Sequence, residues 1–327
     1  MEERKLRWAV LGTGTVAKEM AIRLGEKGIH LYAVASRTYE NALRYAQKYC
    51  VEKVYENMDQ IFTDPLVDIV YIATPHNTHY PLIKKALENG KHVLAEKSIT
   101  LNSRELDEVV QLSKDKGLVL AEAMTIWHMP LYKKLWKMIA DGEMGKVRMI
   151  TVNFGSFKDW DMTNRYFSKE LAGGALLDIG VYALSVVRGF MEQSPDWINS
   201  QMRPAPTGVD EQATILLMNE AGQMATVALT MRAKQPKRAM ISCEKGYIEI
   251  MEFNRGDSAV YVDTATRTVH HMQEGNTNDA LYYEMLDMEQ AVLTGNQDII
   301  KLQYSADVMR IMTELRNDWA LEYPEEE

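Results

Sequence analysis

Three groups of residues have types and spacings suited to chemistry. Lys97 follows the apolar run His92 to Ala95, in the segment Glu96-Lys97-Ser98. A lysine just past a buried strand can be partly desolvated, which lowers its pKa toward a value that suits proton transfer at neutral pH. The same residues also fit a surface lysine paired with Glu96. Asp178 and Tyr182 stand four apart in GGALLDIGVY, so a helix there puts a carboxylate and a phenol on one face. That pair can exchange a hydroxyl proton, the phenol pKa being lowered by a nearby lysine ammonium. The alternative is a carboxylate bonded to a loop and a ring that only packs. The third group, Thr74-Pro75-His76-Asn77-Thr78-His79, leaves the apolar run Asp68 to Ala73. No His, Cys and carboxylate cluster has metal-ligand spacing, so no metal is expected.

The elements that must position these residues are legible in outline. Short apolar runs at Leu6 to Leu11, Leu31 to Ala35, Asp68 to Ala73, His92 to Ala95 and Leu118 to Ala121 alternate with helical patterns. Continuously apolar strands alternating with helices imply a parallel, doubly wound sheet covered on both faces. The first strand runs into Gly12-Thr13-Gly14-Thr15-Val16-Ala17 and then a helix, the G-x-G-x-x-G/A pattern in the setting it requires. Gly12 permits the tight turn, Gly14 lets the backbone approach a pyrophosphate, and the helix N-terminus attracts its charge. The second strand ends Ala35-Ser36-Arg37, with no carboxylate to meet a ribose 2′-hydroxyl. Ser36 can donate a hydrogen bond and Arg37 can pair with a phosphate, which favours NADP over NAD.

After about residue 123 the pattern changes. Helices are expected at Pro130 to Ala140 and Gly174 to Met191, then strands between Val147 and Val262, then helices at Asp279 to Leu293 and Asp298 to Asn317. This reads as an α+β domain with a mostly antiparallel open sheet. The expected division is a dinucleotide-binding domain over 1–122 and a substrate-binding, oligomerising domain over 123–327. An open sheet with one exposed face needs a partner, so a homodimer or homotetramer is expected.

Composition sets the outer limits. The 327 residues include 37 Lys plus Arg against 46 Asp plus Glu, a formal charge of −9. An acidic chain without a basic block is not expected to bind nucleic acid. Two cysteines far apart, Cys50 and Cys243, and no run long enough to span a bilayer predict a soluble, cytoplasmic protein.

GTGTVA, ATPHNTH, AEKS, the stretch Glu122 to Pro130 and GGALLDIGVY, in this order and spacing, resemble the Gfo/Idh/MocA family of nicotinamide-dependent oxidoreductases over nearly the whole chain. The resemblance implies that Lys97 is the lysine of the family's E-K-P motif and Asp178 its later aspartate. Tyrosine at 182, where many members have histidine, is similar to the glucose-fructose oxidoreductase and dimeric dihydrodiol dehydrogenase branch, which commonly uses NADP. It implies hydride transfer between the nicotinamide and a CH-OH carbon of a sugar, polyol or related cyclic alcohol. Lys97, Asp178 and Tyr182 are then catalytic. Gly12, Thr13, Gly14, Thr15, Val16, Ser36, Arg37, Thr74, Pro75, His76, Asn77, His79, Glu96 and Lys97 bind cofactor, and Trp127, Arg165 and Tyr283 contact substrate. Two other outcomes stay open: sugar processing with a retained cofactor, and a non-catalytic sensor. Ser98 replaces the family's proline, so a cis peptide after Lys97 is not expected, since the cis form costs about 2.5–4 kcal/mol before a non-proline.

Overall fold

The computed structural model describes residues 5 to 326. Strands β1 (Trp8–Leu11), β2 (Ala33–Ala35), β3 (Lys53–Tyr55), β4 (Ile69–Ile72), β5 (His92–Glu96) and β6 (Leu120–Ala123) form one sheet in the order β3-β2-β1-β4-β5-β6. Every pairing in it is parallel. β1 and β4 are buried throughout, as strands covered on both faces must be. The strand order reverses between β1 and β4, and ligands of such sheets bind in the crevice beyond the carboxyl ends at that point. Gly12, Ser36, Thr74 and Lys97 all lie at that edge, each within one residue of a strand end or just beyond it.

A second sheet has eight strands: β7 (Val147–Gly155), β8 (Trp197–Pro204), β9 (Asp210–Met218), β10 (Met224–Thr230), β11 (Arg238–Cys243), β12 (Gly246–Met251), β13 (Ser258–Asp263) and β14 (Val269–Gln273). Its order is β14-β13-β12-β11-β7-β10-β9-β8. β7 and β10 pair in parallel and the other pairings are antiparallel. The helix Val181–Phe190 packs against β7, β10 and β11. β9 shows the resulting alternation, with Ala213, Ile215 and Leu217 buried and Leu216 and Met218 exposed.

Two compact units result, and their boundaries differ from the expected 1–122 and 123–327. The first comprises the chain up to Thr100, Arg104–Ala123 and Asn278–Leu302; the second comprises Leu101–Ser103, Met124–Thr277 and the chain from Gln303. The helix Ala280–Thr294 therefore belongs with the parallel sheet. Leu281, Met285, Met288 and Ala291 on this helix enter the core formed by Trp8, Val10, Tyr71 and Ala121. The Trp8 indole N–H donates to Glu289 Oε1 at 2.8 Å. The sequence shows that apolar stripe but not which sheet it covers.

Candidate active site

The glycine turn after β1 is built for close approach. Gly12 has φ +99°, and a Cβ there would collide with the Ala73 carbonyl and crowd Thr74. Its N–H donates to Ala35 O at 2.9 Å, tying the turn to β2. The helix Thr15–Glu26 starts at Gly14 with no side-chain cap and no acidic residue in its first turn. Side chains leave these N-terminal amides to an anion, and the positive end of the helix dipole favours one. Thr13, Thr15 and Val16 border the turn, Ser36 is buried at the end of β2, and Arg37 is exposed beside it. These features fit a dinucleotide carrying phosphate charge.

Lys97 leaves β5 half-buried. Glu96 is buried and accepts the Tyr71 hydroxyl at 2.5 Å. The Lys97–Ser98 peptide is cis, contrary to the expectation from Ser98. Contacts around the bond engage both neighbouring carbonyls. His76 Nε2 lies 3.1 Å from Lys97 O, and His79 Nδ1 lies 2.9 Å from Ser98 O. His79 Nε2 also faces Thr74 O at 2.9 Å. A neutral imidazole carries one N–H, so it donates to one of these carbonyls at a time. Burial pushes the His79 pKa below the ordinary histidine value, outweighing the facing carbonyls. His79 is wholly buried, so its expected cofactor contact is replaced by a bracing role between the segments after β4 and β5. His76, Thr74 and Asn77 are half-buried and Pro75 is exposed at the same edge.

In the second unit the expected helix Gly174 to Met191 opens as a π turn over Leu176–Gly180 and continues as the α-helix Val181–Phe190. Such π turns are frequent at functional sites. Asp178 lies in this turn, nearly buried, with the Arg165 guanidinium 3.7 Å from its Oδ1. Tyr182, half-buried on the first turn of the α-helix, packs its ring 6.3 Å from that of Phe154. Arg165 is exposed and donates to the Tyr166 hydroxyl at 3.3 Å, while Lys158 Nζ lies 4.0 Å from the centre of the same ring. Asp178, Tyr182 and Arg165 thus belong to one neighbourhood, to which Tyr166 and Lys158 are added. No motif in the sequence singles out Lys158.

Trp127 is not in that neighbourhood. It is fully buried, its indole N–H donates to Ser305 Oγ at 3.1 Å, and its ring meets Trp136 and Tyr304. The expected substrate contact is corrected to a core position, because no ring face is left at the surface. Tyr283 lies on Ala280–Thr294, in the first unit rather than the second, beside Tyr282.

Residues 6–124 match the oxidoreductase family with the NAD-binding Rossmann fold, GFO_IDH_MocA. Residues 132–249 match the GFO/IDH/MocA C-terminal domain. The chain is 31% identical over 253 residues to the trans-1,2-dihydrobenzene-1,2-diol dehydrogenase of Mus musculus, covering 76% of this chain and 75% of that protein. It is 28% identical to the Xenopus laevis enzyme of that name, over 97% of this chain and 99% of the relative. Among solved structures, a levoglucosan dehydrogenase in complex with NADH and levoglucosan aligns with a TM-score of 0.88 at 19% identity, over 97% of this chain and 98% of that one. A 3-ketoreductase from Actinomadura kijaniata, in complex with NADP and TDP-benzene, aligns with a TM-score of 0.84 at 22% identity, over 96% and 98%. These two likenesses establish the shared fold, and the matched domains and the 31% identical relative establish the lineage. The chain belongs to the GFO/IDH/MocA family of NAD-binding oxidoreductases.

Proposed function

We propose that the protein is an NADP-preferring dehydrogenase or reductase acting on a secondary alcohol or carbonyl of a cyclic polyol or sugar-like substrate. The observation that carries this reading is Lys97 standing at the carboxyl edge of the same sheet whose glycine turn forms the dinucleotide cradle. Gly12, Gly14 and the N-terminal amides of Thr15–Glu26 would hold the pyrophosphate, and Ser36 and Arg37 a ribose 2′-phosphate. The bound nicotinamide supplies hydride acceptance or donation. The chain's own side chains manage the proton: Lys97 and Tyr182 exchange that of the substrate hydroxyl, and Asp178, paired with Arg165, orients the hydroxyl. The dihydrobenzenediol and levoglucosan dehydrogenases among its relatives support a ring alcohol as substrate.

Lys97→Ala and Tyr182→Phe should each lower kcat by about 10²–10⁴-fold, the usual contribution of a positioned acid or base, with NADPH affinity retained. Steady-state rates on a panel of cyclic diols and anhydro sugars, beside fluorescence titration with NADPH, read both quantities. Full turnover in both variants sinks the assignment. Arg37→Ala should weaken NADPH binding by about 1.5–3 kcal/mol and spare NADH, as expected for loss of one charged hydrogen bond. Equal losses for the two cofactors would remove the NADP preference.

The open face of the eight-stranded sheet supports self-association. Trp197, Met218, Met224, Met149 and, across Ser242, Tyr247 are successive cross-strand partners in one row. All five large side chains are exposed. A homodimer through this row is the assembly the reading favours. The free Cys50 and Cys243 support a reducing, cytoplasmic setting.

A further inference from the structure

β9 opens with Asp210, whose side chain is completely buried against Gly174, just before the proposed catalytic face. Asp210 Oδ2 accepts the Leu176 N–H at 2.6 Å, at the start of the π turn that carries Asp178. The neighbouring Ala175 amide also acts on this carboxylate. Oδ1 accepts no hydrogen bond among the described residues, and it lies so close to Gly174 that a Cβ there would collide with it. Gly174 has φ +123°, a conformation that suits glycine.

Gly173 and Gly174 hold the loop that carries Arg165 and Tyr166. Gly174 N–H donates to Tyr166 O at 2.9 Å, and Gly173 N–H donates to Ser168 O at 2.9 Å. The Tyr323 hydroxyl donates to Gly173 O at 2.6 Å from the other side. One buried carboxylate therefore stands where the Asp178 turn, the Arg165 loop and the C-terminal segment meet.

The charged groups around it are few. Arg316 approaches from the helix Leu302–Asp318, but its guanidinium is engaged by Glu326 at 2.7 and 2.8 Å and by Leu101 O at 2.6 Å. Tyr323 faces it from the C-terminal segment, where Glu326 pairs with Arg316. Asp178 on the π turn faces Arg165, and Glu211 on β9 faces Arg203 and Arg232.

We propose that Asp210 is a positioning residue for the reaction: its carboxylate holds the turn that presents Asp178 and Tyr182, and proton uptake at Asp210 loosens that turn. Burial pushes its pKa up to about 7, against the lowering effect of the helix amides and of Arg316. Ionised, the carboxylate makes a charge-assisted bond to the Leu176 N–H; a proton on the unpartnered Oδ1 leaves Oδ2 a neutral acceptor and weakens that bond. Turnover therefore rises with pH through this ionisation. The inference rests on the reading of Asp178 and Tyr182 as catalytic.

The test is Asp210→Asn in the full-length enzyme, with kcat followed from about pH 5.5 to about pH 8.5 across the ionisation. NADPH affinity is measured in parallel. At the upper end kcat should fall on the order of 10²-fold, as misplacement of reacting groups by about 1 Å produces, with NADPH affinity unchanged. The rise of kcat near pH 7 should be absent from the variant. A melting temperature that falls while the same rise persists makes Asp210 a purely structural residue and overturns the proposal. A wild type that binds NADPH but turns over no substrate defeats the catalytic reading and this inference together. Active wild type and variant with superimposable profiles defeat the role of Asp210 alone. If the variant does not fold, aspartate labelled with carbon-13 at Cγ in the wild type replaces it. A carboxyl resonance titrating in step with kcat supports the proposal, and the absence of one overturns it.

Discussion

Tyr166 sits between two cations, the Arg165 guanidinium 4.5 Å and the Lys158 ammonium 4.0 Å from its ring centre. Burial raises its phenol pKa, but the hydrogen bond from Arg165 and the two positive charges outweigh it, leaving the phenol below the ordinary tyrosine value. Arg165→Ala should therefore return the Tyr166 phenol upward. An ultraviolet phenolate titration, taken as the difference from Tyr166→Phe, reads that shift. The same substitution removes the counter-charge 3.7 Å from Asp178, and kcat should drop about tenfold, equivalent to ~1.4 kcal/mol of transition-state stabilisation. An unmoved phenol would mean that Lys158 alone sets it. At this scale the sequence is uneven. Lys97 and Asp178 stand out by motif and spacing, whereas Arg165 enters only through the family resemblance. Asp210 does neither: it lies in a stretch, Thr207-Gly208-Val209-Asp210, that reads as an ordinary turn before a strand. Its effect depends on burial that spacing does not reveal.

The elements follow a physical rule in what they disclose. β1, β4 and β5 are continuous apolar runs and are evident from the sequence. β3, β8 and β14 are not, and all three are edge strands. An edge strand faces solvent more widely and needs no apolar run, as the exposed alternation of Trp197–Pro204 shows. The π turn over Leu176–Gly180 was likewise hidden, because a helical pattern does not distinguish one turn from the next. That turn's anchor carries a stability prediction. Because the folded pKa of Asp210 is about 7 and lies above its unfolded value, the folded chain holds a proton there that the unfolded chain releases between roughly pH 4 and pH 7. Stability contributed by this group is therefore full at low pH and is lost as pH rises. The melting temperature of the wild type should decline relative to Asp210→Asn over that window, measured by calorimetry in matched buffers. A constant difference between the two proteins would place the ionisation elsewhere.

For the whole molecule, the proposed dimer through the exposed row from Trp197 to Tyr247 makes a quantitative demand. Fully burying one such side chain is worth about 1.5–3 kcal/mol, so introducing charge at the centre of the row should cost the pair several such contacts. Met218→Glu combined with Met224→Glu should convert a dimer to a monomer in light scattering behind size exclusion, with NADPH binding retained. A variant of unchanged mass would move the interface off this face. The division of the chain was the least legible feature at this scale. Composition shifts near residue 123, but the apolar stripe of Ala280–Thr294 carries no label for the sheet it joins.

That returning helix also sets a timetable for synthesis. The parallel sheet is complete once Ala123 has emerged from the ribosome, yet Leu281, Met285 and Met288 are still untranslated. At ~5–20 residues per second, the interval before Leu302 emerges is on the order of 10 to 35 s. Throughout it the nascent chain displays the apolar surface around Trp8 and Val10 that those side chains later cover. An N-terminal fragment ending at Ala123 would display that surface permanently, a ready site for chaperones and for aggregation.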